Sequence, residues 1–445
     1  MIIKQVRILT ILLVAGAGLG AQEPLTVTGA IRKAWTDQAG LRAGQAMVES
    51  RQAEAEGYRD LRLPTLTLNA HGVRTNEPMM AFGIKLNQAR IGMADFDPMT
   101  LNHPDAIGAY GGTAVIQQPL YTGGRITAAR RAGEYMAQAE MASQERRKQE
   151  TAQMVVEAYF GTQVAEQALK WVDDTRMWIQ GMEDFVGARV AQGLMLESEL
   201  QRLKAFHAQA DAQKADVVKQ VRSARSGLGL LTGSGPVEGP LATPLEPAAS
   251  GAGQGPTQDA TPGTAYRGDL VAADLQAKAA KEGAKAARGN NLPEVGLEVG
   301  AGTLHHSWSE KGNWTWAAVG LKWKVFSAPD LAKAKAARAQ ERAAADMRTF
   351  KQQQAEHEVR VAREGVIAAE ARYASAKESL AAAEESKRLR EARHKEGLAP
   401  LIEVLDAEAA VQGARTLILQ SLFDIRISRA GLNLATGNPI EGVNP

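Results

Sequence analysis

Apolar residues recur at helical spacing over most of this chain, and at strand spacing in four short stretches. Thr28 to Arg59 reads as one amphipathic helix, with Thr26 and Thr28 as N-cap candidates. Pro64 ends it and opens the strand LPTLTLNAHG (about 63–73), in which Leu66, Leu68 and Ala70 alternate with Thr65, Thr67 and Asn69. Val73 to Ala109, rich in Gly, Met, Asn, Asp and Pro, reads as a long loop, and a second strand follows at about 111–121, ending in QQPLYTGG. From Arg125 the pattern is helical for about 65 proline-free residues, which is about 100 Å of helix. Its expected seam is Ala168, Trp171, Thr175, Trp178, Met182 and Phe185, a seven-residue repeat of coiled-coil type. After Gly193 a returning helix carries Leu203, Ala210, Val217, Ala224 and Leu231, again seven apart.

The second half repeats this order. A helix from Asp269 leads to the strand LPEVGLEVGAG (about 292–303), a short loop, and the strand NWTWAAVGLKWKVFS (about 313–327). A long helix then runs from about Asp330 to Glu396 and returns after Gly397 and Pro400. Four spacings agree between the halves. Leu41 to Pro64 and Leu270 to Pro293 are both 23 positions, and Gly124 to Gly193 and Pro329 to Gly397 are 69 and 68. Gly193 to Gly233 and Gly397 to Gly437 are both 40, and Glu199 and Glu403 each lie 6 past their glycine. On the last helix Val404, Val411, Ile418, Ile425 and Leu432 alternate with Ala407, Ala414, Ser421, Ser428 and Ala435, so large and small residues share one seam. The chain therefore divides into a first repeat at 22–233 (hairpin about 125–231, tip at 193), a flexible Gly/Pro/Ala linker at 234–265, a second repeat at 266–437 (hairpin about 330–435, tip at 397) and a tail at 438–445.

Composition narrows the class. With 44% hydrophobic and 23% charged residues the chain folds, and a net charge of +2 gives no argument for nucleic acid. Cysteine is absent, which excludes disulfides, thiolate metal sites and thiol catalysis. Residues 1–21 form a secretory signal, with Lys4 and Arg7 before an apolar Ile8–Val14 run and small residues up to Ala21. No later stretch holds 18 uninterrupted apolar residues, so an exported chain enters a membrane only as strands. Four strands cannot close a barrel alone, so if these strands span a membrane several chains must share one; the alternative at this point is a soluble sheet beside a coiled coil. Trp314, Trp316, Trp323 and Phe326 are candidates for an interfacial aromatic belt. The adjacent His305 and His306 lack a third ligand for a metal, and no serine-nucleophile or Walker motif marks an enzyme or a cofactor site.

The motifs QPLYTGG (118–124), VAQGL (190–194), RGDLVAADLQAKAAKEGAKAARGNNLPEVGL (267–297) and EGLAPLIEVLDAEAAV (396–411), in this duplicated order, resemble the TolC-like outer membrane efflux proteins over nearly the whole mature chain. The resemblance implies a mainly α fold with membrane β: a homotrimer sharing a 12-stranded barrel, continued by a periplasmic α-helical barrel. It implies passive conduction across the Gram-negative outer membrane and its lipid, driven by an inner membrane pump through a periplasmic adaptor protein. By the family's pattern, Glu403 and Asp406 line a gate at the closed tip, with Glu199, Ser198 and His394 beside them. Gly193, Leu194, Gly397 and Leu398 match the tips where adaptor hairpins dock. The family's best-known pattern has an arginine two residues after the second tip glycine and a tyrosine three before it. Ala399 and His394 stand there, so closure is expected to be looser or to use other donors such as Arg189 and Arg202. The alternative is a periplasmic coiled-coil adaptor or structural protein, against which stand the four membrane-length strands.

Overall fold

The computed structural model describes residues 24–246, 267–306 and 312–443. The expected signal segment lies outside the described residues. Where one first helix is expected there are two, α1 (Val27–Asp37) and α2 (Ala39–Asp60). The chain breaks at Gln38, whose extended backbone closes α1 through its N–H on the Ala34 carbonyl. Thr26 caps α1 by accepting from the Gly29 N–H at 3.0 Å. The break lets Val27, Ile31 and Ala34 of α1 enter a core with Val155, Tyr159, Phe160, Leu228, Ala430 and Ile440.

Four antiparallel strands form one sheet in the order β1 (Thr65–Thr75), β2 (Ile107–Thr122), β3 (Glu294–His305) and β4 (Asn313–Lys322). The register pairs Thr67 with Val115, Val115 with Gly300, and Gly300 with Trp316. A bulge at Pro119 absorbs the missing donor of that residue. The sheet has two chemically distinct faces. One carries Leu66, Leu68, Ile116, Val299, Val319 and Leu321, all exposed. The other carries Thr65, Thr67, Asn69, Gln117, Glu298 and Lys322. Trp314 and Trp316 lie on this polar face, against the expectation of an interfacial belt. Their rings cover Gly302 and Gly300, where an added Cβ would lie 2.3 Å and 2.2 Å from ring carbons. The Trp316 Nε1–H donates to Glu298 at 3.2 Å.

The loop expected at 73–109 is largely folded. It holds α3 (Pro78–Asn87), a single 3-10 turn (Met93–Phe96) and α4 (Pro98–Asn102). Pro78 and Pro98 sit in first turns, where the lost N–H costs nothing.

At the other end of the strands the long hairpins begin. α5 (Arg125–Ala191) pairs with α6 (Glu197–Leu231), and α8 (Ala328–Lys395) with α9 (Leu401–Thr436). α5 has 67 residues and α8 has 68, each about 100 Å long. The buried seam of α5 near the tip is Val172, Thr175, Ile179, Met182 and Val186, spaced three and four. Thr175 and Met182 are buried as expected, whereas Val172, Ile179 and Val186 take the place of their neighbours Trp171, Trp178 and Phe185, which are half-buried at the rim. On α9 the large-small seam is in place: Val404, Val411 and Ile425 are buried with Ala407, Ala414, Ser421 and Ala435.

Within the second repeat one arginine pins three helices together. Arg267 precedes α7 (Gly268–Gly289), is 2% exposed, and donates to Asp269, Glu358 and the Ala435 carbonyl at 2.7, 2.8 and 3.0 Å. Burial raises the Asp269 carboxyl, but the Arg267 hydrogen bond and the nearby Arg146 charge outweigh it and hold its pKa below the usual value. Part of the expected linker is also fixed. The Leu25 N–H donates to the Pro240 carbonyl and the Ala242 N–H to the Leu25 carbonyl, both at 2.9 Å. Arg426 donates to the carbonyls of Pro244, Leu245 and Glu246. Its few apolar side chains, Val237, Leu241 and Leu245, also pack on the core, and the Thr243 hydroxyl accepts from the Val27 N–H. Residues 247–266 lie outside the described residues.

Candidate functional site

The far ends of the hairpins carry every candidate gate and docking residue named from the sequence. Both tips are built alike. Gly193 and Gly397 adopt φ +72° and +77°, the left-handed region that glycine enters without strain. The Gly193 and Leu194 N–H groups donate to Val190 and Arg189 carbonyls, both at 2.9 Å. Gly397 and Leu398 repeat this on His394 and Arg393 at 2.9 and 2.8 Å. This is the double-bonded helix end in which a left-handed residue closes the last turn. No atom lies within 4 Å of a Cβ placed on either glycine, and Leu194 and Leu398 are 62% and 65% exposed. Each tip thus presents a bare glycine beside an uncovered leucine.

Behind the tips a small core joins the hairpins: Met182, Val186, Leu203, Leu401 and Leu405 are buried, with Trp178, Phe185, Met195, Leu200 and Phe206 around them. His394, expected among the gate-lining residues, is turned into this region and is 2% exposed. Its Nδ1–H donates to the Ala399 carbonyl at 2.8 Å, and its ring meets Phe185 edge-on at 6.4 Å. Within one chain it holds the second tip's turn together. Ser198 and Asp406 are exposed, and Glu199 and Glu403 are half-buried. Within the chain none of these four side chains forms a hydrogen bond or ion pair with another described residue. They are acidic or hydroxyl groups free to meet something outside their own chain.

The expected donors Arg189 and Arg202 do not reach them. Arg189 stacks on Phe185 at 5.4 Å, and Arg202 is exposed. Instead Arg390 donates to the backbone carbonyl of Glu403 at 3.2 Å.

A second cluster, missed in the sequence, lies about 15 Å up the helices from the second tip. Glu408 on α9 is 1% exposed, and its carboxylate lies 2.6 Å from the Lys387 ammonium on α8. It also accepts from Gln412 at 2.6 Å and from Thr175 on α5 at 3.2 Å. Lys387 sits 4.3 Å over the Trp178 ring, whose Nε1–H donates to Glu391 at 2.7 Å. One buried carboxylate therefore ties α9 to both α8 and α5, joining the second hairpin to the first.

Of the two outer histidines, the His306 Nδ1–H donates to the Gly108 carbonyl at 3.1 Å. No group of three or more potential metal ligands occurs among the described residues. No described helix is long and apolar enough to cross a membrane.

The model of one protein family, outer membrane efflux protein, matches residues 30–234 and 264–438. A search of curated proteins finds no match. Solved structures share the fold across almost the whole chain. CusC is 19% identical, covering 93% of this chain and 92% of its own, with a TM-score of 0.81. The outer membrane protein VceC of Vibrio cholerae is 18% identical, covering 93% and 96%, with a TM-score of 0.78. The outer membrane channel MtrE of Neisseria gonorrhoeae, solved in its open state, is 20% identical, covering 93% and 89%, with a TM-score of 0.75.

Proposed function

Because the chain belongs to the outer membrane efflux protein family, we propose that three copies form one passive export duct through the outer membrane of a Gram-negative bacterium. The observation that carries this reading is the sheet. It has four strands, two unpaired edges (β1 and β4), an apolar exposed face and a polar face. Unpaired strand edges are not tolerated in lipid, so the edges must be met by other copies. Three sheets give twelve strands, enough for a closed barrel with lipid outside and a polar lumen. The hairpins continue the wall into the periplasm.

The tips are the gate. Around a threefold axis Glu403 and Asp406 bring six carboxylates together, with Glu199 and Ser198 of the first tip nearby. Like charges at close range repel and attract cations, so the closed end is charge-sensitive. The bare glycines and uncovered leucines (Gly193, Leu194, Gly397, Leu398) fit docking by the helical hairpin of a periplasmic adaptor, which couples the duct to an inner membrane pump. Substrates move outward, driven by that pump.

Cross-linking of the detergent-solubilised protein tests the assembly. A ladder that stops at trimer is expected, and one that stops at monomer or dimer refutes the shared barrel.

A further inference from the structure

The segment between β1 and β2 is the part of the chain that the duct does not yet use. It joins the strand ends farthest from the hairpins, hence the outer mouth. It is internally braced: Phe82 meets Phe96 edge-on at 5.9 Å, and Lys85 pairs with Asp95 at 2.8 Å. Asp95 also accepts from the Gly92 N–H at 2.8 Å. Ala81 and Ile84 of α3 are 1% and 5% exposed and pack on Val73, Ile107, Ala109, Leu304 and Trp314. The strand register puts all five of these residues on the polar face of the sheet, the face of Asn69, Thr113 and Gln117. With the apolar face on lipid, that face lines the lumen. The helix α3 is thus folded inward over the rim of the wall.

Its opposite stripe is Met79, Gly83 and Leu86, spaced four and three and so on one helical face. Met79 is 81% exposed and Leu86 57%, pointing away from the wall that Ala81 and Ile84 contact. No described residue covers this stripe.

We infer that the α3 helices of three copies meet on the axis and close the outer mouth, each packing its Met79–Gly83–Leu86 stripe on those of its two partners. This rests on the trimeric barrel proposed above. Two arguments name the occupant. First, α3 follows directly from β1, an edge strand that the barrel pairs with a neighbouring copy, so the stripe continues the interface between copies. Second, the sizes match. Twelve strands spaced about 4.8 Å apart and tilted about 40° make a wall about 24 Å across between backbones. A helix with its side chains is about 10 Å wide, and three side by side need a circle of roughly 22 Å. Inward side chains narrow that wall further, so three α3 helices folded over its rim leave no open ring between them. Gly83 lets the helices approach, and Met79 supplies a side chain that packs in several arrangements.

The absence of cysteine from the chain makes the test direct. Single variants Met79→Cys, Leu86→Cys and Ala81→Cys are purified as trimers and oxidised. A disulfide needs Cα atoms roughly 4.4–6.8 Å apart. Disulfide-linked dimers from Met79→Cys or Leu86→Cys, with none from the wall-facing Ala81→Cys, are expected. Trimers in which neither Met79→Cys nor Leu86→Cys cross-links overturn the inference and leave the duct standing. Cross-linking by Ala81→Cys as strong as by Leu86→Cys also overturns it, because α3 is then detached from the wall. Failure to find any trimer, in these variants or the wild type, is failure of the barrel reading itself.

Discussion

Replacing Lys387 by methionine should loosen the second tip. The carboxylate of Glu408 is 1% exposed and has Lys387 as its cationic partner at 2.6 Å, while Gln412 and Thr175 supply only neutral donors. Removing one member of a buried ion pair strands the other, at a cost of about 3–5 kcal/mol. The Lys387 side chain is 20% exposed, so some water can reach the gap and the lower figure applies. About 3 kcal/mol corresponds to roughly a hundredfold rise in the local opening equilibrium. Glu408→Leu should cost less, because the freed ammonium keeps Glu391 at 3.6 Å and has access to solvent. The double variant Lys387→Met/Glu408→Leu should then be close to Glu408→Leu alone, giving a large favourable coupling in the cycle. The assay is hydrogen exchange of the α9 amides 401–411 in the assembled protein, since a single global unfolding energy is ill-defined for so long a membrane protein. Exchange in Lys387→Met equal to that in wild type, or effects of the two changes that simply add, would refute the idea that this pair clamps α9 to α8 and α5.

Three further outcomes follow from the same geometry. Gly193 and Gly397 have open space around them but left-handed backbones, so alanine at either should cost about 1–2 kcal/mol locally. A tryptophan there should abolish export while trimers still form, checked by cargo efflux from cells and by gel mobility. Asp269 has a depressed carboxyl pKa, so its contribution is fully present above the ordinary carboxylate value and is lost as pH falls below about 4 through the depressed value. Proteolysis at the α7–α8–α9 junction should therefore increase in acid for wild type, and already at neutral pH for Asp269→Asn. Trp314 and Trp316 stand on the polar face, so the emission lost in Trp316→Phe should be the part quenched by an aqueous quencher, not by brominated lipid; the reverse pattern would place the ring in the bilayer.

The duplicated order and both tips were legible because they depend on local rules. A glycine at a helix end, a proline at a strand start and a heptad seam each leave a mark within a few residues, and two copies of each mark reinforce one another. The tryptophan faces were also written in the strand parity, since Trp314 and Trp316 share the parity of Gly320 and Lys322 rather than of Val319 and Leu321. The inward fold of α3 had a fainter signal, in Pro78 at a first turn and in Ala81, Ile84 and Gln88 at helical spacing. The Glu408 cluster left none: Thr175 and Glu408 are 233 positions apart, and only the packing of three helices brings them together. The burial of Val172, Ile179 and Val186 in place of Trp171, Trp178 and Phe185 has the same origin, because which side of a long helix faces inward is decided by its neighbours. His394 took its expected position from an alignment of motifs, whereas its burial follows from a local contact with Ala399 across the tip.

The most direct test of the duct and its gate is single-channel current through the purified protein in a planar bilayer, with Glu403→Ala/Asp406→Ala measured beside wild type. Small, discrete steps with cation preference, limited by the α3 helices at the outer mouth, are predicted for wild type, and a changed step size with weakened cation preference for the variant. A well-folded sample that never inserts would contradict the shared barrel. Steps identical in size and selectivity in the variant would contradict the acidic gate at the tips.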